Sequence, residues 1–339
     1  MKKTNYILGI ESSCDDTAAA VLKGRKVLSN CIANQKIHQA YGGVVPELAS
    51  RAHQANIVPV VQQALSTANI DKKELTAIAY TRGPGLLGSL LVGSAFAKSM
   101  ALSLNIPLIE VNHMQAHLLC HFIKEPKKTA PEFPFLGVTL SGGHTQLVWV
   151  ESHFKMTEIG TTRDDAIGEA FDKCGKVMGL SYPAGPEIDR LAQSGNPNTF
   201  DFPLPKVADL DVSYSGLKTA FLNLIRKNNQ KNPDFVKENL HDLCASIQKT
   251  LVTVIIEKII QAKELYGLNR VVIGGGVAAN SEIRKVLSEK SKTEQWEVFL
   301  PPFQYTTDNA AMIGIVGYYK LIEQQFGTFN QAVSARLSL

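Results

Sequence analysis

Two stretches of this chain repeat one pattern, and the repeat limits the fold more than any other feature. Residues 6–22 and 135–150 each read as an apolar strand, a turn of small polar residues and a second apolar strand. They align at a constant offset of 128 residues, with the same residue at four positions: Leu8 and Leu136, Gly9 and Gly137, Ser13 and Ser141, Thr17 and Thr145. A single repeat of this length predicts a duplicated α/β domain rather than a solenoid.

The turn in each copy has the composition of an anion-binding turn. Successive backbone N–H groups in such a turn can form a nest for phosphate. Glycine at Gly142 and Gly143 in the second copy lets a ligand approach the backbone closely. A plain hairpin could have the same turn residues. Because the pattern occurs twice, we interpret the turns as a phosphate-binding pair facing a common cleft.

His113 and His117 stand four residues apart, between the two repeats. On a helix they would lie on one face about one turn apart, where both imidazoles can bind one metal ion. Imidazole suits zinc or iron. The metalloprotease signature H-E-x-x-H needs Glu beside the first His, and Met114 stands there instead. A third ligand must come from elsewhere, and Asp308 in a polar turn is the best candidate.

Length and cysteine usage favour a two-domain protein with reduced thiols. A chain of 339 residues can form two domains with full cores, and the polar segment 125–134 predicts domains at 1–125 and 126–339, the second with helical insertions. The five cysteines form no C-x-x-C pair, which argues against a disulfide framework or a zinc ribbon. We expect a cytoplasmic protein, since acidic residues interrupt the apolar start and no apolar run reaches the length of a membrane span.

Two further segments and the net charge carry sequence signals. Helical spacing over 163–176 would place Asp165, Gly168 and Asp172 on one helix face. The triple glycine 274–276 lies between a strand and a helix, where the backbone can pass close to a flat ring or a ribose. The net charge of +4 is compatible with a nucleic-acid partner without requiring one.

Nine motifs occur together, in order and along the whole chain. They are Gly-Ile-Glu-Ser-Ser-Cys-Asp (9–15), Gly-Gly-Val-Val-Pro-Glu-Leu-Ala-Ser-Arg (42–51), Gly-Pro-Gly-Leu (83–86), Asn-His-Met-Gln-Ala-His (112–117), Ser-Gly-Gly-His-Thr (141–145), Gly-Glu-Ala-Phe-Asp-Lys (168–173), Ser-Gly-Leu-Lys (215–218), Gly-Gly-Gly-Val-Ala-Ala-Asn (274–280) and Thr-Asp-Asn (307–309). In this set the chain closely resembles the tRNA threonylcarbamoyladenosine transferases, the TsaD family.

The resemblance implies a fold and a reaction. The fold is a duplicated α/β fold of the actin, sugar-kinase and heat-shock-ATPase type, with the active site in the cleft between the two halves. The reaction passes the threonylcarbamoyl group from threonylcarbamoyl-AMP to N6 of adenosine 37 in tRNAs reading codons that begin with A, and releases AMP. The implied partners are tRNA, a paralogous protein of the same fold and a small P-loop-type ATPase, with no membrane.

The resemblance also assigns residues. It implies that His113, His117 and Asp308 bind one divalent metal ion per subunit, usually iron, with zinc or magnesium as alternatives. It implies nucleotide and substrate contacts at Thr139, Leu140, Ser141, Gly142, Gly143, Asp172, Gly185, Asp189 and Asn280. Asp172 and Asp189 can accept hydrogen bonds from ribose hydroxyls. As a further hypothesis, Asp15 or Glu11 takes the proton of the amine.

Some residues depart from the family pattern, and other readings stay open. Asp16 stands where Glu is expected, Ala184 where Gly is expected, and Thr306 where Cys is frequent, but none of these removes a proposed ligand. An ATP-dependent small-molecule kinase of the same fold is the main alternative, although phosphoryl transfer uses magnesium on carboxylates and water rather than imidazoles. A non-catalytic scaffold of this fold would be expected to lose the metal ligands and the triple glycine.

Overall fold

The computed structural model describes residues 5–126 and 128–339, and at Lys36 only the main chain. The chain forms two compact units. Unit 1 comprises Met1–Pro131 and Pro301–Leu339, and unit 2 comprises Glu132–Leu300. Each unit contains one five-stranded mixed sheet with its own buried apolar core.

The sheet of unit 1 has the strand order β3-β2-β1-β4-β5. Its strands are β1 (Tyr6–Glu11), β2 (Thr17–Lys23), β3 (Lys26–Ala33), β4 (Ala77–Gly83) and β5 (Leu108–Asn112). The first three pair antiparallel as a meander, while β4 and β5 join parallel on the other side of β1. The carboxyl ends of β1, β4 and β5 therefore lie at one edge of the sheet.

The sheet of unit 2 has the order β10-β9-β6-β7-β8. Its strands are β6 (Phe135–Leu140), β7 (Thr145–Val150), β8 (Met156–Thr161), β9 (Arg270–Gly274) and β10 (Glu297–Phe299). Strands β6 to β8 pair antiparallel, and β9 and β10 join parallel. The two sheets thus share one topology, with a hairpin first and two parallel strands added later. The predicted duplication of an α/β domain is confirmed.

Ten α-helices of four or more residues lie within the described chain. Those of unit 1 are α1 (Pro46–Ala68), α2 (Leu87–Leu104), α3 (His113–Leu119) and α10 (Ala310–Ile322). Those of unit 2 are α4 (Ile167–Val177), α5 (Gly185–Ala192), α6 (Ser215–Asn229), α7 (Phe235–Glu238), α8 (Leu240–Tyr266) and α9 (Ser281–Thr293). The long apolar stripe of α8 lies in the core of unit 2, as its hydrophobic spacing predicts.

Residues 301–339 belong to unit 1, which differs from the predicted domain 126–339. The reason is helix α10, most of whose side chains are buried. A Cβ at Gly9 of β1 would lie 2.4 Å from the carbonyl oxygen of Ala310, so α10 crosses β1 in close contact. The boundary near residue 130 could be read from the polar segment, but the return of the chain to the first sheet could not.

Helix α2 is long and apolar enough to cross a membrane by length and composition alone. One helix of this kind is weak evidence for a membrane span, because the core helix of a globular domain has the same length and composition. Here Gly93 of α2 packs against Ser12, where an added Cβ would lie 2.1 Å from the hydroxyl oxygen. Lys98 of α2 donates a hydrogen bond of 2.6 Å to the carbonyl of Gln331. Both contacts lie within unit 1.

Candidate functional site

Helix α3 begins where strand β5 ends, and it carries His113 and His117 on one face. The side chain of Asn112 caps it, because Oδ1 accepts hydrogen bonds from the N–H groups of Met114 (2.9 Å) and Gln115 (3.2 Å). The two imidazole centroids lie 4.6 Å apart. Both rings are buried, His117 completely. The predicted helix bearing both histidines is confirmed.

Asp308 reaches the two histidines from the turn that precedes α10. Asn309 caps α10 by accepting from the N–H of Met312 at 3.0 Å, which fixes the turn. Asp308 Oδ1 lies 3.3 Å from Nε2 of His113 and 3.3 Å from Nε2 of His117. The two Nε2 atoms are 3.1 Å apart. The structure therefore brings together the three residues that the sequence predicted as ligands.

The spacing of these three atoms fits one metal ion. Donor atoms bound at about 2.1 Å to one ion stand roughly 3.0 Å apart in an octahedral set and roughly 3.4 Å apart in a tetrahedral one. The three observed separations lie between 3.1 and 3.3 Å. Nδ1 of His117 is buried without a hydrogen-bond partner among the described residues. Two imidazoles and one carboxylate suit zinc or iron and leave further coordination positions open.

Glu11 lies beside His113 and is completely buried at the end of β1. Its Oε2 is 3.0 Å from Nδ1 of His113 and accepts from the hydroxyl of Thr81 at 2.6 Å. Its Oε1 accepts from the N–H of Ser13 at 2.5 Å. Glu11 is thus placed to fix the tautomer and orientation of His113 with Nε2 left for a metal. This contact was missed in the sequence, where nothing relates residues 11 and 113.

The charges of this cluster also favour a cation. Burial alone would raise the pKa of Asp308, but attraction to His113 and hydrogen bonds with both imidazoles hold it below its ordinary value. Glu11 behaves in the same way, since its interaction with His113 outweighs its burial and lowers its pKa. Burial lowers the pKa of His117. Burial opposes a charge on His113, but attraction to Glu11 and Asp308 raises its pKa well above the ordinary value. A divalent cation bound to Nε2 of His113 would therefore replace a proton beside two ionised carboxylates.

The carbonyl groups of the turn 12–16 in the first hairpin bind residues outside the hairpin. The N–H of Leu86 donates to the carbonyl of Ser13 at 2.7 Å. The carbonyl of Cys14 accepts from the hydroxyl of Ser89 at 2.9 Å and lies 3.0 Å from Nε2 of the buried His53. These contacts fix the turn that carries Asp15 and Asp16.

Asp15 and Asp16 are both half-buried in this turn. Burial raises the pKa of Asp16 to about 7, with Asp15, Asp308 and Glu11 adding to the effect and a hydrogen bond from Asn34 opposing it. That hydrogen bond joins Asn34 Nδ2 to Oδ1 of Asp16 at 2.8 Å. A carboxyl that changes its protonation near neutral pH is suited to move a proton. The sequence shows only that Asp16 stands where Glu is expected, and it does not reveal this raised pKa.

In unit 2, the turn between β6 and β7 exposes bare backbone. Ser141 closes the turn, with its N–H donating to the carbonyl of His144 at 2.9 Å and its Oγ accepting from the N–H of His144 at 3.0 Å. A Cβ added at Gly142 or Gly143 would meet no protein atom within 4 Å. Packing does not require glycine here, and the open backbone leaves room for close approach of a ligand.

Two other backbone segments lie against this turn. A Cβ at Gly168, in the first turn of α4, would lie 2.7 Å from the carbonyl oxygen of Ser141. At Gly275, where φ is +92°, a Cβ would lie 2.4 Å from the carbonyl oxygen of Leu140. The structure therefore places the amino end of α4 and the triple glycine beside the glycine turn. Helix amino ends attract anions.

Asp172 and Gly185 are also brought together. Oδ1 of Asp172 accepts from the N–H of Ala184 at 2.7 Å, and burial raises the pKa of this carboxyl. Ala184 has φ −85° and ψ −21°, an ordinary helical conformation, so the exchange of glycine for alanine causes no strain. Asp165, in contrast, precedes α4 and does not share its face with Asp172, because the helix begins only at Ile167.

Asp189 and Asn280 meet at the start of α9. Asp189 accepts from the N–H and the hydroxyl of Ser281, the latter at 2.6 Å. Asn280 caps α9 through the N–H groups of Glu282 and Ile283, and its Nδ2 donates to Gln248 at 2.8 Å. Both side chains therefore stabilise the start of α9. The ribose contact predicted for Asp189 would need a further lone pair of its carboxylate.

Among solved structures, full-length HypF in its phosphate- and nucleotide-bound form matches 96% of this chain and 48% of its own, with a TM-score of 0.63 and 14% identity. Component A of the (R)-2-hydroxyglutaryl-CoA dehydratase from Acidaminococcus fermentans matches 94% of this chain and 100% of its own, with a TM-score of 0.54 and 15% identity. At such identities these matches show the two-lobed α/β fold alone.

Curated relatives match far more closely. The tRNA N6-adenosine threonylcarbamoyltransferase of Christiangramia forsetii is 58% identical over 330 residues, 97% of each chain. That of Porphyromonas gingivalis is 52% identical over 341 residues, 100% of each chain. The kinase alternative finds no support in these matches. The family model described as "TsaD: tRNA N6-adenosine threonylcarbamoyltransferase" matches residues 26–315. The chain therefore belongs to the TsaD family of tRNA N6-adenosine threonylcarbamoyltransferases.

Proposed function

We propose that this chain transfers the threonylcarbamoyl group from threonylcarbamoyl-AMP to N6 of adenosine 37 in tRNAs reading codons that begin with A, and releases AMP. Membership of the family supports the reaction class. The cluster of His113, His117 and Asp308 is the observation that carries the proposal, because a kinase of this fold has no use for two imidazoles on one ion.

The metal site is proposed for one divalent ion, iron first, with zinc and magnesium as alternatives. When bound, such an ion acts as a Lewis acid toward a carbonyl oxygen. The protein's part is to hold two Nε2 atoms and one carboxylate oxygen within 3.3 Å of one another. Glu11 supports this arrangement by orienting His113.

The donor nucleotide is assigned to unit 2. The exposed backbone of Ser141–Gly143 and the amino end of α4 offer N–H groups to a phosphate. Thr139 and Leu140 end the strand that leads into this turn. Asp172, Gly185 and Asp189 then serve the ribose, and the triple glycine with Asn280 flanks the adenine. The acyl phosphate is already activated, so binding and orientation supply most of what is needed.

A proton must leave the attacking amine, and Asp15 is the proposed acceptor. Glu11 is less suited to this role, because its carboxylate already binds Ser13, Thr81 and His113. Asp16 lies next in the same turn, and its proton exchange near neutral pH can adjust the charge beside Asp15. The turn itself is fixed by His53, Ser89 and Leu86.

The proposed partners are tRNA, a paralogous protein of the same fold and a small P-loop-type ATPase, all in the cytoplasm. Helices α1 and α2 expose apolar side chains. Leu87, Leu91 and Leu102 of α2 are each more than half exposed, and Val58 of α1 is nearly half exposed. Clustered exposed leucines favour a protein partner. We assign the paralogue to the surface formed by these exposed side chains of α1 and α2.

Transfer in vitro tests the proposal. The reaction would contain this protein, synthetic threonylcarbamoyl-AMP and an unmodified tRNA, with and without the two partner proteins, and modified nucleoside would be measured by mass spectrometry. The matched control is the same tRNA with guanosine at position 37. We expect product only with adenosine 37. Absence of product together with ATP-dependent phosphorylation of a small alcohol would favour the kinase.

A further inference from the structure

Residues 327–339, which we call the strap, run in unit 1 from the amino end of β5 to the carboxyl ends of β4 and β5. This fully described stretch contains no helix or strand. Hydrogen bonds hold it: the N–H of Ser334 donates to the carbonyl of Arg82 at 3.0 Å, and the N–H of Gly85 donates to the carbonyl of Ala335 at 3.2 Å. The N–H of Gly327 donates to the carbonyl of Leu108 at 2.8 Å. The strap is therefore built into the sheet edge.

The end of the strap meets the residue before the first histidine. Nδ2 of Asn112 donates to the carbonyl of Ser338 at 2.8 Å, while Oδ1 of the same side chain caps α3. An Asp or a Ser could cap the helix, but neither offers this amide donor. The side chain of Asn112 thus joins the strap to the amino end of the helix that carries His113 and His117.

A second path leads from the strap to the other side of His113. A Cβ at Gly83 would lie 2.0 Å from the carbonyl oxygen of Ser334, so strap and loop are in close contact. Two residues on, a Cβ at Gly85 would lie 2.3 Å from the carbonyl oxygen of Ser13. Ser13 donates its N–H to Glu11, which binds His113. Asn112 therefore contacts the strap directly, whereas Glu11 is linked to it through Ser13 and the loop 83–85.

We propose that the strap is a positioning element of the metal site, acting through the hydrogen bond from Asn112 to Ser338. Helix α3 has only seven residues, and a helix of two turns depends on its surroundings for its conformation. Its first N–H groups are capped by the side chain of Asn112, and that side chain donates to the strap. Loss of the bond lets α3 shift and separates the two Nε2 atoms from Asp308. The inference rests on the metal site of the proposed function.

Metal affinity in folded protein tests this, because a purely structural role would not change it. Asn112→Ser keeps a neutral capping oxygen and removes the amide donor. Deletion of residues 336–339 removes Ser338 and keeps Ala335. Co²⁺ would be titrated into metal-stripped protein, and its visible spectrum and dissociation constant recorded, beside thermal unfolding and circular dichroism. Asp71→Ala, which removes a capping box elsewhere in unit 1, is the control for general destabilisation.

We expect Asn112→Ser and the deletion each to weaken Co²⁺ binding about tenfold or more and to alter the spectrum, with Asp71→Ala unchanged. In the combined variant the deletion should weaken Co²⁺ binding no further than Asn112→Ser alone, since both changes remove the same hydrogen bond, that from Asn112 to Ser338. Wild-type affinity and spectrum in folded Asn112→Ser would overturn the inference, and this variant alone decides if the deletion does not fold. Wild-type protein that binds no Co²⁺ would overturn the metal site and the inference together.

Discussion

Glu11 and His113 form a buried hydrogen bond of 3.0 Å between Oε2 and Nδ1, although the two residues are 102 positions apart. The bond directs Nε2 of His113 toward His117 and Asp308. A carboxylate behind a ligand histidine fixes its tautomer and raises its basicity. The first hairpin therefore supports the histidine cluster that helix α3 carries.

Glu11→Gln should therefore weaken metal binding about 10- to 100-fold, because the substitution removes the charge behind His113. Equilibrium dialysis, with the metal measured on both sides of the membrane, would give the dissociation constant. Glu11→Asp, which keeps the charge and shortens the reach, should fall between Gln and the wild type. Normal metal affinity with lost turnover in Glu11→Gln would instead favour Glu11 as the base.

Asp15→Asn should lower the rate of transfer by roughly 100-fold or more, the usual contribution of a general base. Binding of threonylcarbamoyl-AMP should stay as in the wild type, because its contacts are assigned to unit 2. Single-turnover rates and calorimetric binding would separate the two effects. An unchanged rate would exclude Asp15 from proton transfer.

Asp16→Asn should change how stability depends on pH. The pKa of Asp16 is raised to about 7 in the folded chain, whereas an unfolded Asp ionises near 3.8. Between these values the folded state holds more protons, so wild-type stability is lost as pH rises from about 4 to 7. Asn keeps the acceptor for Asn34 without that proton. Its melting temperature should match the wild type near pH 4 and exceed it at pH 8; equal melting temperatures at both would contradict the shift.

Leu91→Glu should weaken binding of the paralogous partner by at least about tenfold, because a charge would be buried in an apolar interface. Surface plasmon resonance would measure it. Leu265→Glu is the matched control, since Leu265 is an exposed leucine on a helix of unit 2. Equal weakening by both variants, or by neither, would place the paralogue elsewhere.

The sequence predicted the hairpins, the helix with two histidines and Asp308 as third ligand, because each depends on local periodicity or a recognisable motif. It could not predict contacts between distant segments. The sequence indicates Glu11 as a candidate base, since nothing in residues 9–15 reveals that its carboxylate is buried against His113. The strap and the return of α10 to the first sheet were missed for the same reason. Helical spacing predicts Asp165 on the face of Asp172, because spacing does not show that α4 begins only at Ile167.

The double variant His113→Ala, His117→Ala tests the central claim most directly. Modified nucleoside, bound metal and affinity for threonylcarbamoyl-AMP would be measured on the same folded sample. We predict no metal, no detectable N6-threonylcarbamoyladenosine and retained binding of the donor, because its proposed site lies in unit 2. Transfer at the wild-type rate by this variant would contradict a metal-dependent reaction at His113, His117 and Asp308.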